Sequence, residues 1–361
     1  MDLAKKPAMK QILISALLFC FSTAALAQSR LQIVDQKLQS LHDSGTLKDD
    51  FAEVLTFRGQ GNKSVGYAIF GVKGPKGAVV ISEGRTESSL KYYHLAMDLQ
   101  DNGYGPIFAL DHRGQGFSEK LLANSDLGTV QSFDDYVEDL KHFVNEIVLP
   151  QTKGQKLFLL AHSMGGGIGA AYLEKYSSPF VAVAFSSPMF QIYFDQEGIS
   201  SLWNNEDVAL LTASSLCLPP ALFGKPLCDR SIPGGGPYDP LKLFIDSKST
   251  SDPNQFNLEL KRNKLWPQIQ LGSPTYRWAQ ASLMATQHLR ENANLIKIPA
   301  LVIQAGNDKW VDNRGQNEVC QPDVFNCRIH RIENSKHETL IETPEIRAES
   351  LQTILEFFSN Y

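Results

Sequence analysis

Leu157-Phe158-Leu159-Leu160-Ala161, running directly into His162-Ser163-Met164-Gly165-Gly166-Gly167-Ile168-Gly169, is the stretch that decides the fold. Five apolar residues without in/out alternation read as a strand buried on both faces, and the Gly/Ala-rich run to Tyr176 reads as a helix. A serine at such a strand-to-helix junction is a nucleophile elbow, a tight turn that lifts a hydroxyl above the sheet edge. Small residues must flank the serine two positions away on either side. Gly165 supplies one, and Ala161 stands where the G-x-S-x-G pattern has glycine. The helix that follows aims the positive end of its dipole at the hydroxyl.

Outward from this junction the same rhythm repeats. Val54–Phe57 and Val65–Phe70 flank a turn containing Gly59 and Gly61 and suggest a hairpin. Strands are expected at Ala78–Ser82, Ile107–Leu110, Val181–Phe185, Ala300–Gln304 and Ile329–Ile332. Helices are expected within Gln28–Asp50 and at Leu90–Leu99, Phe133–Val148, Tyr276–Leu289 and Ile346–Phe358. Strands alternating with helices imply an α/β fold with a mostly parallel central sheet and helices on both faces. The rhythm breaks over Pro188–Pro274, too long for a loop in a compact domain. It reads as an inserted cap subdomain, residues 190–275, between core segments 28–189 and 276–361.

The composition agrees. The chain has 361 residues, 43% hydrophobic and 20% charged, with a formal net charge of −5. Disordered, collagen-like and coiled-coil classes are excluded, and no overall basic field exists to attract nucleic acid. Residues 1–27 read as a cleaved secretory signal: Lys5, Lys6 and Lys10, an apolar run from Ile12 to Phe21, then Ala25-Leu26-Ala27 before Gln28. An uncleaved anchor is the alternative. Lipidation at Cys20 is disfavoured because Leu17-Leu18-Phe19 lacks the small residues expected before it. The expected location is secreted or periplasmic. Cys217, Cys228, Cys320 and Cys327 then form an even set in an exported chain. Three connectivities are open, and the spacing favours Cys217–Cys228 with Cys320–Cys327. Zinc is disfavoured, since neither pair is C-x2-C.

A nucleophilic serine needs a base, and the base an orienting carboxylate. Asp308 in Ala305-Gly306-Asn307-Asp308-Lys309 and His337 in Ser335-Lys336-His337-Glu338 each follow an expected strand, in the order Ser…Asp…His. Ser163, Asp308 and His337 are therefore the expected catalytic residues. Asp312 is the competing acid, further from its strand end. His162 is expected to fill or line the pocket, and His94, His112, His142, His288 and His330 to be structural. The oxyanion donors are expected to be the backbone N–H groups of Met164 and of Arg85, in the Glu83-Gly84-Arg85 turn. Asp111–Ser118 holds two glycines but neither G-x-G-x-x-G nor a P-loop lysine, so it reads as a structural turn whose Asp111 and Arg113 bond neighbouring backbone.

With these residues in place, the chain from about Val54 onward resembles the α/β-hydrolase superfamily, in the branch of bacterial lysophospholipases and monoacylglycerol lipases. Glu83–Ser88, Gly272–Trp278 and Val311-Asp312-Asn313-Arg314 are especially similar to lysophospholipases, and Glu83 stands where lipases of this branch usually have His. The resemblance implies hydrolysis of a lipid carboxylic ester through an acyl-enzyme, without metal or organic cofactor. It also implies transient contact with a membrane surface through the cap. Met189–Phe194, Leu202–Trp203 and Leu216–Phe223 could line an acyl channel, although most are expected to form the cap's own core. A monoacylglycerol lipase, a general carboxylesterase, a peptidase and a silent binding protein are the other readings.

Overall fold

The computed structural model describes residues 30–194, 205–218, 227–321 and 323–361. The expected signal peptide, Leu202–Trp203 and much of Leu216–Phe223 lie outside them. No helix among the described residues is long and apolar enough to cross a membrane.

The chain forms one eight-stranded sheet from β1 (Ala52–Arg58), β2 (Ser64–Phe70), β3 (Gly77–Ser82), β4 (Tyr104–Leu110), β5 (Leu157–His162), β6 (Ala182–Ser186), β7 (Ala300–Ala305) and β8 (Cys327–Ile332). Their order is β1-β2-β4-β3-β5-β6-β7-β8. The expected hairpin β1–β2 is antiparallel, β2 meets β4 antiparallel, and every pairing from β4 to β8 is parallel. Parallel strands need crossovers, and these are mostly helices: α2 (Tyr93–Asp101), α3 (Asp134–His142), which runs through a π-helical segment into the short α4 (Leu149–Gln151), and α5 (Met164–Lys175). Helix α1 (residues 30–43) precedes the sheet.

Alternate residues of each strand feed two cores. Val80, Phe108, Leu159, Phe185 and Val302 pack toward α3 and α5 through Phe133, Leu140, Ile168 and Tyr172. Their neighbours Val79, Ile107, Leu160, Ala184 and Ile303 join Val34, Leu38 and Leu41 of α1 and Leu95 and Leu99 of α2 on the other face. Phe357 and Phe358 of α10 (Pro344–Phe358) complete that side. This two-faced burial is why the central strands read as continuous apolar runs.

Between β6 and β7 the described residues form α6 (Glu206–Leu216), α7 (Pro253–Leu265) and α8 (Tyr276–Asn292). Disulfides join Cys217 to Cys228 and Cys320 to Cys327, the pairing that the spacing favours. Helices α6 and α7 were not expected within the cap, and two features outside it also differ from the sequence reading. Arg113 is not limited to backbone partners: it makes a two-pronged pair with Asp139, at 2.6 and 2.7 Å, besides bonding the Gln60 carbonyl. Helix α9 (Asn313–Val319) was not expected; it begins at Asp312, whose side chain caps it by accepting from the Arg314 N–H.

Candidate active site

Ser163, Asp308, His337 and the Glu83–Arg85 turn all lie just beyond the carboxyl ends of their strands, at one rim of the sheet. Ser163 occupies a backbone conformation that L-residues seldom adopt, φ 52° and ψ −120°. The turn that demands it is tightly seated. A Cβ on Gly165 would lie 2.2 Å from the Ser82 carbonyl oxygen and 2.4 Å from that of Glu83, so only glycine lets α5 approach the end of β3. Alanine serves at position 161 because Gly169 faces it: a Cβ there would already be 3.3 Å from the Ala161 methyl.

The three expected residues meet in a continuous hydrogen-bonded chain. Ser163 Oγ lies 2.8 Å from His337 Nε2, and His337 Nδ1 lies 2.7 Å from Asp308 Oδ2. The remaining Asp308 oxygen accepts from the Trp310 and Val311 N–H groups at 2.8 and 3.1 Å, which fixes the carboxylate. Burial disfavours charge on both partners, but each offsets it for the other: the His337 pKa is raised above the ordinary imidazole value and that of Asp308 is lowered. His337 Nε2 can therefore accept the Ser163 proton while Asp308 stabilises the resulting imidazolium. Asp312 is engaged elsewhere, capping α9 and paired with Arg314.

Both expected oxyanion donors line the same cavity as Ser163. The Met164 N–H opens α5 and so has no intrahelical acceptor. In the other turn, Gly84 N–H donates to Glu87 Oε2 at 2.8 Å and Thr86 N–H to Gln115 Oε1 at 3.3 Å. Arg85 N–H, between them, is not engaged by those side chains. The Arg85 guanidinium braces the turn from behind, bonding the Gly272 carbonyl at 2.7 Å and lying over Trp278. Gln115, from the expected structural turn, bonds both Glu83 and the Gly84 carbonyl. Burial pushes the Glu83 carboxyl well above the usual range, helped by nearby Asp111 and Glu87.

The cavity measures about 300 Å³, and Met189, Ile192, Phe194, Trp278, Leu283 and Val311 are among its walls. Of the stretch Met189–Phe194, which could line a channel or form core, Met189 and Ile192–Phe194 face this space, because the chain leaving β6 turns directly over the elbow. Phe190 alone of the apolar residues there is wholly core. His162 fills space below the site rather than lining it. Its Nδ1 meets the Ser186 carbonyl, its ring lies 4.9 Å from that of His337, and burial holds its pKa down at about 4.

One group of side chains was not singled out from the sequence. Lys91 sits 2.6 Å from Glu87 and 2.7 Å from Glu338; all three are buried, the two acids at the cavity wall and the lysine behind them. The only sequence signal is the i, i+4 spacing of Glu87 and Lys91; Glu338 is remote in the chain. Glu87, His162 and Glu338 also offer ligand atoms within 4.8 Å of one another, but the Lys91 ammonium already occupies the position between the carboxylates.

Comparison with known proteins gives a consistent picture. Residues 73–344 match the family model Hydrolase_4, described as serine aminopeptidase, S33. Lysophospholipase L2 of Escherichia coli strain K12 is 31% identical over 291 residues, which cover 78% of this chain and 80% of that protein. A probable lysophospholipase L2 of Haemophilus influenzae is 29% identical over 282 residues, covering 78% and 83%. Among solved structures, a soluble variant of the Saccharomyces cerevisiae monoglyceride lipase superposes with a TM-score of 0.64 at 19% identity, over 87% of this chain and 97% of that one. At that identity the likeness speaks to the fold alone.

Proposed function

The chain belongs to the Hydrolase_4 (serine aminopeptidase, S33) family of α/β-hydrolases, and from that premise we propose that it is an exported serine hydrolase releasing a fatty acid from lysophospholipids. The observation that carries the reading is the Ser163–His337–Asp308 chain at the wall of a largely apolar cavity. His337 takes the Ser163 proton as Oγ attacks the acyl carbonyl carbon. The Arg85 and Met164 N–H groups hold the oxyanion. Collapse breaks the ester C–O bond, and the glycerol-side oxygen leaves with the proton from His337. Water, giving its proton to His337, then attacks the acyl carbon; the Oγ–C bond breaks, Ser163 takes that proton back from His337, and the fatty acid leaves. The lysophospholipid preference rests on the identity to the two lysophospholipases L2.

A peptidase reading is less well supported. A free α-ammonium needs an unpaired carboxylate, and the acids lining the cavity, Glu87 and Glu338, are both held by Lys91. Residues 190–275 are read as the cap, and its exposed Leu241, Leu243 and Ile245 (82, 63 and 84% accessible) suit brief contact with a lipid surface. The leading segment 1–27 and the two disulfides support export.

The test is a panel of lysophosphatidylcholine, monoacylglycerol, p-nitrophenyl esters and aminoacyl amides, with Ser163→Ala as blank. Fastest turnover of lysophosphatidylcholine, abolished in the blank, supports the proposal. A preference for monoacylglycerol or simple esters reassigns the substrate. Activity on aminoacyl amides alone, or none at all, overturns it.

A further inference from the structure

We infer that Lys91 is a positioning residue: its ammonium ties the turn carrying the oxyanion donor, through Glu87, to the loop carrying His337, through Glu338. The inference rests on the reading of Ser163 and His337 given above. Lys91 lies in the helical turn Ser89–Tyr92 ahead of α2, with its side chain only 4% exposed. On one side it meets Glu87, whose other oxygen accepts the Gly84 N–H and the Tyr92 hydroxyl. On the other side it meets Glu338, next in sequence to His337, whose own N–H is anchored to the Ser249 carbonyl. One ammonium thus spans two loops that approach Ser163 from opposite strands, β3 and β8.

A buried lysine without acids would lose its proton, and two buried acids without it would repel. Here the arrangement is mutually sustaining. Burial works against charge on all three, yet Lys91 holds the Glu87 pKa down at about 2, while Glu338 and Glu87 keep the ammonium protonated. The other titratable groups facing this cluster are Glu83, which burial keeps neutral, Glu259, paired at 2.6 Å with Lys242, the Tyr92 hydroxyl, neutral His162 and His337 itself. Burial and the neighbouring Glu87 push the Glu338 pKa up while the Lys91 ammonium opposes them, so with both acids ionised the trio presents one net negative charge to His337. Removing Lys91 would both sever the bridge and take a positive charge away from the neighbourhood of His337.

The test measures two quantities in the full chain: the rate at which a fluorophosphonate labels Ser163 as a function of pH, and kcat and KM on p-nitrophenyl butyrate. Lys91→Met is expected to lower kcat roughly 10- to 100-fold with little change in KM, the scale of a small misplacement of reacting groups. Its acid limb should move up by roughly one pH unit, because losing a nearby cation favours the imidazolium. Lys91→Met/Glu338→Gln removes one charge of each sign, so the limb should return to its wild-type position while kcat stays low. Lys91→Arg should restore both.

Should Lys91→Met fail to fold, Glu338→Gln alone is expected to move the limb the other way, to lower pH. A wild-type kcat in Lys91→Met, or limbs that do not move in either Lys91→Met or Glu338→Gln, would overturn the inference. A wild-type chain that turns over ester without labelling at Ser163 would instead overturn the functional reading, and the bridge with it.

Discussion

Replacing Asp308 by Asn changes one atom and should remove nearly all activity, for a reason that lies in the carboxylate's other contacts. Asp308 Oδ1 accepts two backbone N–H groups, from Trp310 and Val311. An asparagine must keep its carbonyl oxygen there, since turning the amide would point N–H at N–H. Its NH2 group then faces His337 Nδ1 across the 2.7 Å now spanned by the carboxylate bond. The ring must answer with the tautomer that carries its proton on Nε2. That nitrogen, 2.8 Å from Ser163 Oγ, would donate where it has to accept. A wrong-tautomer base in an analogous triad costs about 10⁴ in kcat, equivalent to about 5 kcal/mol of barrier.

The pH dependence moves as well. Burial lowers the His337 pKa and Asp308 raises it to a net value above 6.5, so wild-type activity should climb through an acid limb above that pH. Without the carboxylate, the limb of the residual activity should move to lower pH. The pair's stabilising effect has its own window. The raised His337 contributes below its unfolded pKa, and this is lost as pH rises through the folded value. The lowered Asp308 contributes above 3.8, and this is lost as pH falls. The melting difference between wild type and Asp308→Asn should accordingly be larger near pH 5 than near pH 9. Steady-state kinetics and thermal melts across pH supply the assay. An asparagine variant within tenfold of wild type, or an unmoved limb, refutes the reasoning.

Other perturbations test the scaffold. Gly165→Ala should drive its methyl into the Ser82 and Glu83 carbonyls, costing about 1–3 kcal/mol of stability and separating the elbow from the Arg85 turn; calorimetry and fluorophosphonate labelling read both effects. Ser163→Gly should melt above Ser163→Ala, since only glycine tolerates φ 52° and ψ −120° without strain of about 1–3 kcal/mol. Paired Cys217→Ser and Cys228→Ser replacements should cost about 2–3 kcal/mol by opening the loop they close, at a sequence separation of 11, seen as a lower melting temperature.

How much of this could be read from the sequence follows from where each signal is local. Ser163 and Asp308 sit just past apolar runs and His337 past the mixed strand Ile329–Ile332, and parallel sheets put the positions after such strands at one rim, so their convergence was legible before any distance was known. Asp308 prevailed over Asp312 for the same reason: it is nearer the end of β7, while Asp312 begins α9, which the polar run Asn313–Glu318 does not announce by periodicity. The Lys91 cluster left almost no trace because its partners are 4 and 247 residues apart in sequence and owe their states to burial, not pattern. Whether Met189–Phe194 lines a cavity or fills a core was left open likewise, since an apolar run looks the same in either place.

The most direct test of the account is to quench the enzyme during turnover of a p-nitrophenyl ester and map the acyl group by mass spectrometry. The account predicts one acyl group per chain, on the Ser163 hydroxyl, and none in Ser163→Ala. An acyl group on another residue, or steady turnover in Ser163→Ala, would contradict it.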